Sequence, residues 1–519
     1  MFRECHMKGE LLVERLIAYA EMHLHLQPCD VIYARNCLLS EFRLSAPYDG
    51  EADISDIAAM EVPDALSGEL AEYALEHNLA TEETVERYCA DIFGNLTPLP
   101  SVVNAEFARE KAENGDQAAC DYLYNISVRN GYIQKTAIAK NLKWEYRDSK
   151  NTLEITINLS KPEKNNRDIA KLLTAAPAKK YPMCALCKEN EGFEGTATHP
   201  PRRNLRTVKM TLGGEKWFMQ YSPYAYYDEH CIVISEKHTP MKVDVSTPGK
   251  LLDFVDILPN YFIGSNASLP IIGGSILNHE HFQGGLHRMP MHYAGYRKMY
   301  ASAKYPQLKI GVLEWYNNVI QCESSDRKAV SGFMSEVISE WKKFSCPSCD
   351  ILSETNGVSH NSLSPICSKK GDTYIFSAIL RNNRTDEQFP DGIFHAHPEF
   401  HNIKSEGIGL IELMGLFILP GRLKRQLDEV EDILCGIRPY NEKEIFTPDN
   451  DLYIHRNMIK EFMDGGMSET KKDAHLRVEE HVNRVCAGIL DNTAVFKRDE
   501  TGETGFASFL NKLGLTERQ

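Results

Sequence analysis

The sequence predicts an α+β protein, and three features carry the prediction. Apolar residues recur at helical spacing through residues 1 to about 140. Strand-like runs separated by turns then take over, with amphipathic stretches between them. Two HxH tripeptides, His279/His281 and His395/His397, each follow a strand-like segment, as a duplicated unit would place them.

Taken in order, Glu10 to about Leu39, with LLVERLIAYAEMHLHL, and the stretches Ile54 to His77 and Thr81 to Phe93 have the helical period. Residues 1–140 are therefore expected to form a helical N-terminal extension. LKWEYRDSKNTLEITINL alternates about a Lys/Asn turn and predicts a β-hairpin, and RTVKMTLGGEKWFMQYS, HCIVIS, YIFSAIL and GIFHAH predict further strands. SGFMSEVISEWKKF and GLIELMGLFILP predict helices, the second ending before Gly421. The expected partition is 1–140, a catalytic half over 141–300, a second half over 301–440, and a charged helical tail over 441–519 packed as a surface appendage.

Composition narrows the class. Lys and Arg number 58 against 73 Asp and Glu, a net charge of −15 with no basic block, which argues against nucleic acid or an anionic membrane as partner. The N-terminus MFRECHMKGELLVERL mixes charges of both signs where a secretory apolar segment should lie. No apolar run reaches the roughly 18 residues of a spanning helix. Fourteen cysteines in 519 residues are too sparse for a disulfide scaffold, so reduced thiols and a cytoplasmic location are expected.

The most informative segment is GGSILNHEHFQGGLHRMP, Gly273 to Pro290. In extended conformation an HxH points both imidazoles to one face, and Gln283 falls on that face too. One imidazole can bind a metal while its neighbour works, and the flanking glycines leave backbone amides open to a phosphate. A half-buried strand with two structural histidines is the alternative. Cys184 and Cys187 form a CxxC that fits half a zinc site, a redox pair or two buried thiols; no thioredoxin-like βαβ context surrounds it. A second CxxC, Cys346/Cys349, lies far beyond the ~15–20 residues that separate the halves of a compact zinc ribbon, so histidines are the expected completing ligands. His230, His238 and His279 are candidates. Arg202, Arg203, Arg206 and Lys209 form a basic cluster whose guanidinium forks suit a diphosphate, or else a solvated turn. Asp391 to Pro420 gathers His395, His397, His401, Lys404, Glu406 and Glu412, which suits a polar, anionic ligand or a metal at His395/His397.

At YPMCALCKENEGFEG, EKWFMQYSPYAYYDEHCIV, EKHTPM, GGSILNHEHFQGG, LRNNRTDEQFPDGIFHAHPEFHNIK and IGLIELMGLFILPGRL the sequence closely resembles the class II galactose-1-phosphate uridylyltransferases. More distantly it resembles the class I transferases and the histidine-triad hydrolases and transferases. The resemblance implies duplicated histidine-triad-like antiparallel sheet units. It implies an exchange of UMP between UDP-glucose and galactose 1-phosphate through a covalent uridylyl-histidine.

The nucleophile, second histidine of the class I HPHxQ, maps onto His281, and Gln283 takes the glutamine position; Glu280 replaces the proline. The class I zinc ligands map onto Cys184, Cys187, His238 and His279, with His230 competing for the third place. A second metal at His395/His397 is a further expectation. Arg202, Arg203 and Asn266 are expected at the uridine and diphosphate, Lys404 and Glu412 at the hexose phosphate. Class I relatives are dimers, so a homodimer is one expectation. Glutamine at 283 favours transfer over hydrolysis, because an amide cannot relay a full proton to water as the third histidine of HxHxH does. A nucleotide phosphorylase or hydrolase of the same superfamily and a zinc-stabilised, non-enzymatic nucleotide-sugar binder are the competing readings.

Overall fold

The computed structural model describes residues 2–149, 151–160, 181–196 and 199–518. The chain divides into two compact units, one of residues 1–139 and 164–238, the other of 140–163 and 239–519. Among the described residues no helix is long and apolar enough to cross a membrane.

Strands are numbered along the chain: β1 Leu142–Arg147, β2 Thr152–Asn158, β3 Val208–Leu212, β4 Glu215–Tyr221, β5 Cys231–Ser235, β6 Phe262–Gly264, β7 His281–Gly285, β8 Tyr296–Ser302, β9 Lys309–Leu313, β10 Val319–Ser324, β11 Glu354–Thr355, β12 Val358–Ser359, β13 Asn361–Lys370, β14 Thr373–Asn382, β15 Leu416–Pro420 and β16 Leu515–Glu517. The α+β class stands, with predominantly antiparallel sheets beside many helices.

The first unit opens with helices that include Phe2–His23, Val31–Glu41, Asp64–Glu76, Val85–Leu96, Pro100–Asn114 and Asp116–Arg129. Their apolar faces meet in a core of Val13, Leu16, Leu38, Leu66, Leu70, Ile92 and Phe93. The same unit carries the antiparallel meander β3–β4–β5. β3 alternates buried and exposed residues as a one-faced strand should, whereas the last five residues of β4 are all buried.

In the second unit β16, β8, β9, β10, β14, β13, β6 and β7 lie side by side in that order, all pairs antiparallel. The predicted hairpin is β1–β2, its turn residue Lys150 lying outside the described residues. The helix Arg327–Trp341, N-capped by the Asp326 carboxylate, buries Val330, Phe333, Met334, Val337 and Trp341.

Three local expectations fail for physical reasons. GLIELMGLFILP is not one helix: a short helix Leu410–Leu413 gives way at Gly415, whose φ of 97° no helix accommodates, to β15, which pairs parallel with β2. A Cβ at Gly415 would sit 2.8 Å from Pro290 and 2.9 Å from Trp315, so packing as well as φ demands glycine there. GIFHAH forms turns instead of a strand. The tail is no mere appendage, because the helices Lys471–Thr493 and Glu500–Lys512 bury Val482, Cys486, Ile489, Phe506 and Phe509, and β16 pairs with β8.

Candidate functional site

In the first unit the CxxC forms a tight turn. Cys187 N–H donates to the Cys184 carbonyl (3.2 Å), and Leu186 N–H points at the Cys184 sulfur (3.4 Å). The Asn190 amide ties the turn from below, donating to the carbonyls of Cys184 (2.8 Å) and Cys187 (2.7 Å). The two Sγ atoms stand 3.6 Å apart, and His238, three residues past β5, brings Nδ1 to 3.1 Å from the Cys187 sulfur. These donors converge within 4.8 Å of one another. The sulfur separation is close to the edge of about 3.8 Å expected for a tetrahedron with 2.3 Å Zn–S bonds. This is a Cys/His cluster fit for a metal ion.

His230 stands elsewhere, its ring against those of Tyr226 (5.4 Å) and Tyr227 (4.4 Å). Of the basic cluster, Arg202 lies over the Tyr132 ring at 5.6 Å, and Arg203 is 3.6 Å from Asp91, whose carboxyl burial pushes up to about 6. Arg206 is structural: buried, it donates to the carbonyls of Gly94, Thr97 and Pro98 at the end of the helix Val85–Leu96, and desolvation lowers its pKa to about 10.

In the second unit His279 sits on a bend, and the strand proper begins at His281. Both imidazoles are buried. His281 Nδ1 lies 2.8 Å from the His279 carbonyl, which can only accept, so Nδ1 carries the proton and Nε2 keeps its lone pair. Burial pulls the His281 pKa down to about 4, which keeps the ring neutral near pH 7. β7 is held against β6 with Gln283 opposite Gly264 and Gly284 opposite Ile263. A Cβ on Gly284 would fall 2.4 Å from the Phe262 carbonyl, so this glycine is what lets the two strands close.

The residue between the histidines answers a question that the sequence leaves open. Glu280 lies between them, its carboxylate buried in an ion pair with Lys250 at 3.0 Å, the side chains only 3% and 4% exposed. Its N–H also donates to the Thr239 carbonyl (2.7 Å). Glu280 thus anchors the approach to His281 by a buried charge pair. Sequence reasoning missed Lys250; a lone lysine among apolar helix positions was the available signal.

The second HxH is arranged differently. His395 Nε2 accepts from Ile408 N–H (3.3 Å); His397 stacks on Phe389 at 4.0 Å and places Nε2 3.0 Å from the Ile393 carbonyl. Among the described residues neither belongs to a group of three or more metal-capable side chains. The fully buried guanidinium of Arg381, donating to the Ile408 carbonyl (3.1 Å), adds positive charge near His395. For the expected second metal at His395/His397, one nitrogen of each ring meets the backbone, Nδ1 of His395 is buried without a hydrogen-bond partner, and the fixed Arg381 cation opposes a second positive charge there.

Lys404 and Glu412 are brought together as a buried pair at 3.0 Å, with Lys404 also donating to the Ile418 carbonyl (2.8 Å) and Glu412 accepting from Gly409 N–H (3.1 Å). Asn266 accepts from Leu410 N–H (2.7 Å), and Gly274 and Gly409 pack so closely on its amide that a Cβ on either would come within 2.9 Å of it.

A strand presenting a buried, neutral imidazole with one free nitrogen, on a chain that also carries a Cys/His cluster, is the equipment of a group-transfer enzyme. Comparison with known sequences makes the class specific. The family models described as galactose-1-phosphate uridyl transferase, N-terminal domain and C-terminal domain, match residues 47–240 and 254–444. Galactose-1-phosphate uridylyltransferase of Caldanaerobacter subterraneus subsp. tengcongensis is 40% identical, over 97% of each chain. Those of Fusobacterium nucleatum (97% of this chain, 98% of the relative) and Bacillus subtilis (97% of each) are both 38% identical. No solved structure matches. The chain belongs to the galactose-1-phosphate uridylyltransferase family.

Proposed function

We propose that this protein exchanges UMP between UDP-glucose and galactose 1-phosphate by double displacement, with His281 as the covalent carrier. The observation that carries the reading is the tautomer: with the Nδ1 proton given to the His279 carbonyl, Nε2 is the nucleophilic nitrogen. In the first step Nε2 attacks the α-phosphorus of UDP-glucose, an N–P bond forms, and the P–O bond to glucose 1-phosphate breaks. In the second a phosphate oxygen of galactose 1-phosphate attacks the same phosphorus and the N–P bond breaks, giving UDP-galactose. Both leaving and entering phosphates are already ionised, since the second phosphate pKa is about 6, so no acid or base is needed. Gln283, two residues along the strand, hydrogen-bonds a nonbridging oxygen without activating water. Arg202 and Arg203 are assigned to the diphosphate, Asn266 to uridine, and Lys404 and Glu412 to the hexose phosphate. A cytoplasmic setting belongs to the same reading.

Zinc is the proposed metal, held by Cys184, Cys187 and His238, with His279 as the fourth ligand that the resemblance to the class I transferases implies; soft sulfur and imidazole donors without a carboxylate support that choice. Four protein ligands leave no open position, so the ion is structural. Fixing His279 then fixes the carbonyl that orients His281.

The test is mass spectrometry of the protein after brief exposure to UDP-glucose alone. A stoichiometric, acid-labile uridylyl group on His281 with little UMP released is expected. Steady UMP production with position 281 always bare would favour the hydrolase reading and defeat this one.

A further inference from the structure

The second CxxC has no part in the transfer chemistry, yet its geometry is more specific than that of loop thiols. Pro347 opens a short turn in which Cys349 N–H donates to the Cys346 carbonyl (2.9 Å) and Asp350 takes a left-handed φ of 60°. Reciprocal bonds between Cys346 and Ile351 (2.8 and 3.1 Å) close its base. Both half-buried thiols are free and their Sγ atoms lie 2.9 Å apart.

That distance separates the two CxxC motifs by chemistry. The first pair, at 3.6 Å, fits a metal-tetrahedron edge and has an imidazole beside it. The second pair is too close for the edge of about 3.8 Å. Among the described residues it also belongs to no group of three metal-capable side chains. The helix Glu500–Lys512 packs directly on both sulfurs: a Cβ on Gly505 would lie 2.4 Å from the Cys349 sulfur and 3.0 Å from that of Cys346. Cys349 further directs its S–H to the Thr501 carbonyl (3.6 Å) on the same helix.

We propose that Cys346 and Cys349 form a reversible dithiol site that exchanges with low-molecular-weight disulfides. One cysteine sulfur displaces a thiolate from the incoming disulfide and forms a mixed disulfide. The other sulfur then displaces the remaining small thiol. The small disulfide is reduced to two thiols, and the protein gains one S–S bond and loses two hydrogens. Burial pushes the Cys349 thiol up to about 12, which makes it the proton-bearing partner and leaves the first attack to Cys346. The rigid turn holds the second thiol in place, so closure outruns accumulation of the mixed disulfide.

The experiment exposes the holoenzyme to glutathione disulfide, quenches with an alkylating agent and maps the peptides. The peptide holding both cysteines should lose two hydrogens and escape alkylation, while Cys29, exposed and unpaired, collects a glutathione adduct. In Cys349→Ser the reaction should stop at a mixed disulfide on Cys346. Gly505→Ala, by displacing the Cys349 sulfur, should slow closure by roughly ten-fold. A stable glutathione adduct on either cysteine of the wild type overturns the proposal, and so do thiols still open to alkylation after Cys29 has reacted.

Discussion

The charge between the two histidines of the first HxH is the residue whose role is most open to measurement. Lys250→Met would leave the Glu280 carboxylate buried without its partner, a change that costs about 3–5 kcal/mol. The double variant Lys250→Met, Glu280→Met should recover most of that loss, and chemical denaturation of the three variants measures it. His281→Asn should lower uridylyl exchange by several orders of magnitude while leaving the denaturation midpoint nearly unchanged, because asparagine offers no nucleophilic nitrogen. Cys184→Ser should lower bound metal and thermal stability together, measured by elemental analysis and calorimetry, since a hydroxyl replaces a soft thiolate ligand. The HxH and the CxxC were legible from sequence as candidate sites because both motifs are local. The Lys250–Glu280 pair was not: nothing in the 29 intervening positions indicates which side chain meets which.

Pairing of β6 with β7 is the element on which the proposed nucleophile depends. Gly284 faces Ile263 with no room for a methyl group, so Gly284→Ala should force the strands apart and cost about 1–3 kcal/mol, with exchange falling more than stability because His281 heads the same strand. Comparing kcat with the unfolding midpoint of that variant checks it. Element type was legible wherever period and length agreed, as in β3 to β5, β14 and the helix Arg327–Trp341. It was misleading at GLIELMGLFILP, where an apolar run suits helix and buried strand alike and one glycine with positive φ decides between them. It also misled at GIFHAH, whose residues spend their polar groups on turns.

Across the molecule, buried neutral histidines tie stability to pH. Burial holds His395 and His455 at about 3, against 6.5 when free. The unfolded chain therefore binds protons at these positions first. Their contribution is intact above pH 6.5 and drains away as pH falls from 6.5 towards 3. A thermal melting series should show the midpoint dropping already between pH 6.5 and 5, before the carboxylates titrate; a flat midpoint over that window would contradict the assignment.

The sequence by itself determined the chemistry on offer: an α+β chain, a HxHxQ motif, a CxxC and the family whose motifs these are. Such features are short in sequence, and local spacing dictates which side chains share a face or a turn. Only the tertiary structure decided that His238 rather than His230 meets the cysteines, that Glu280 is neutralised by Lys250, and that Arg381 stands near His395. Those choices join residues distant along the chain, and they depend on burial and on which donor reaches which acceptor after packing.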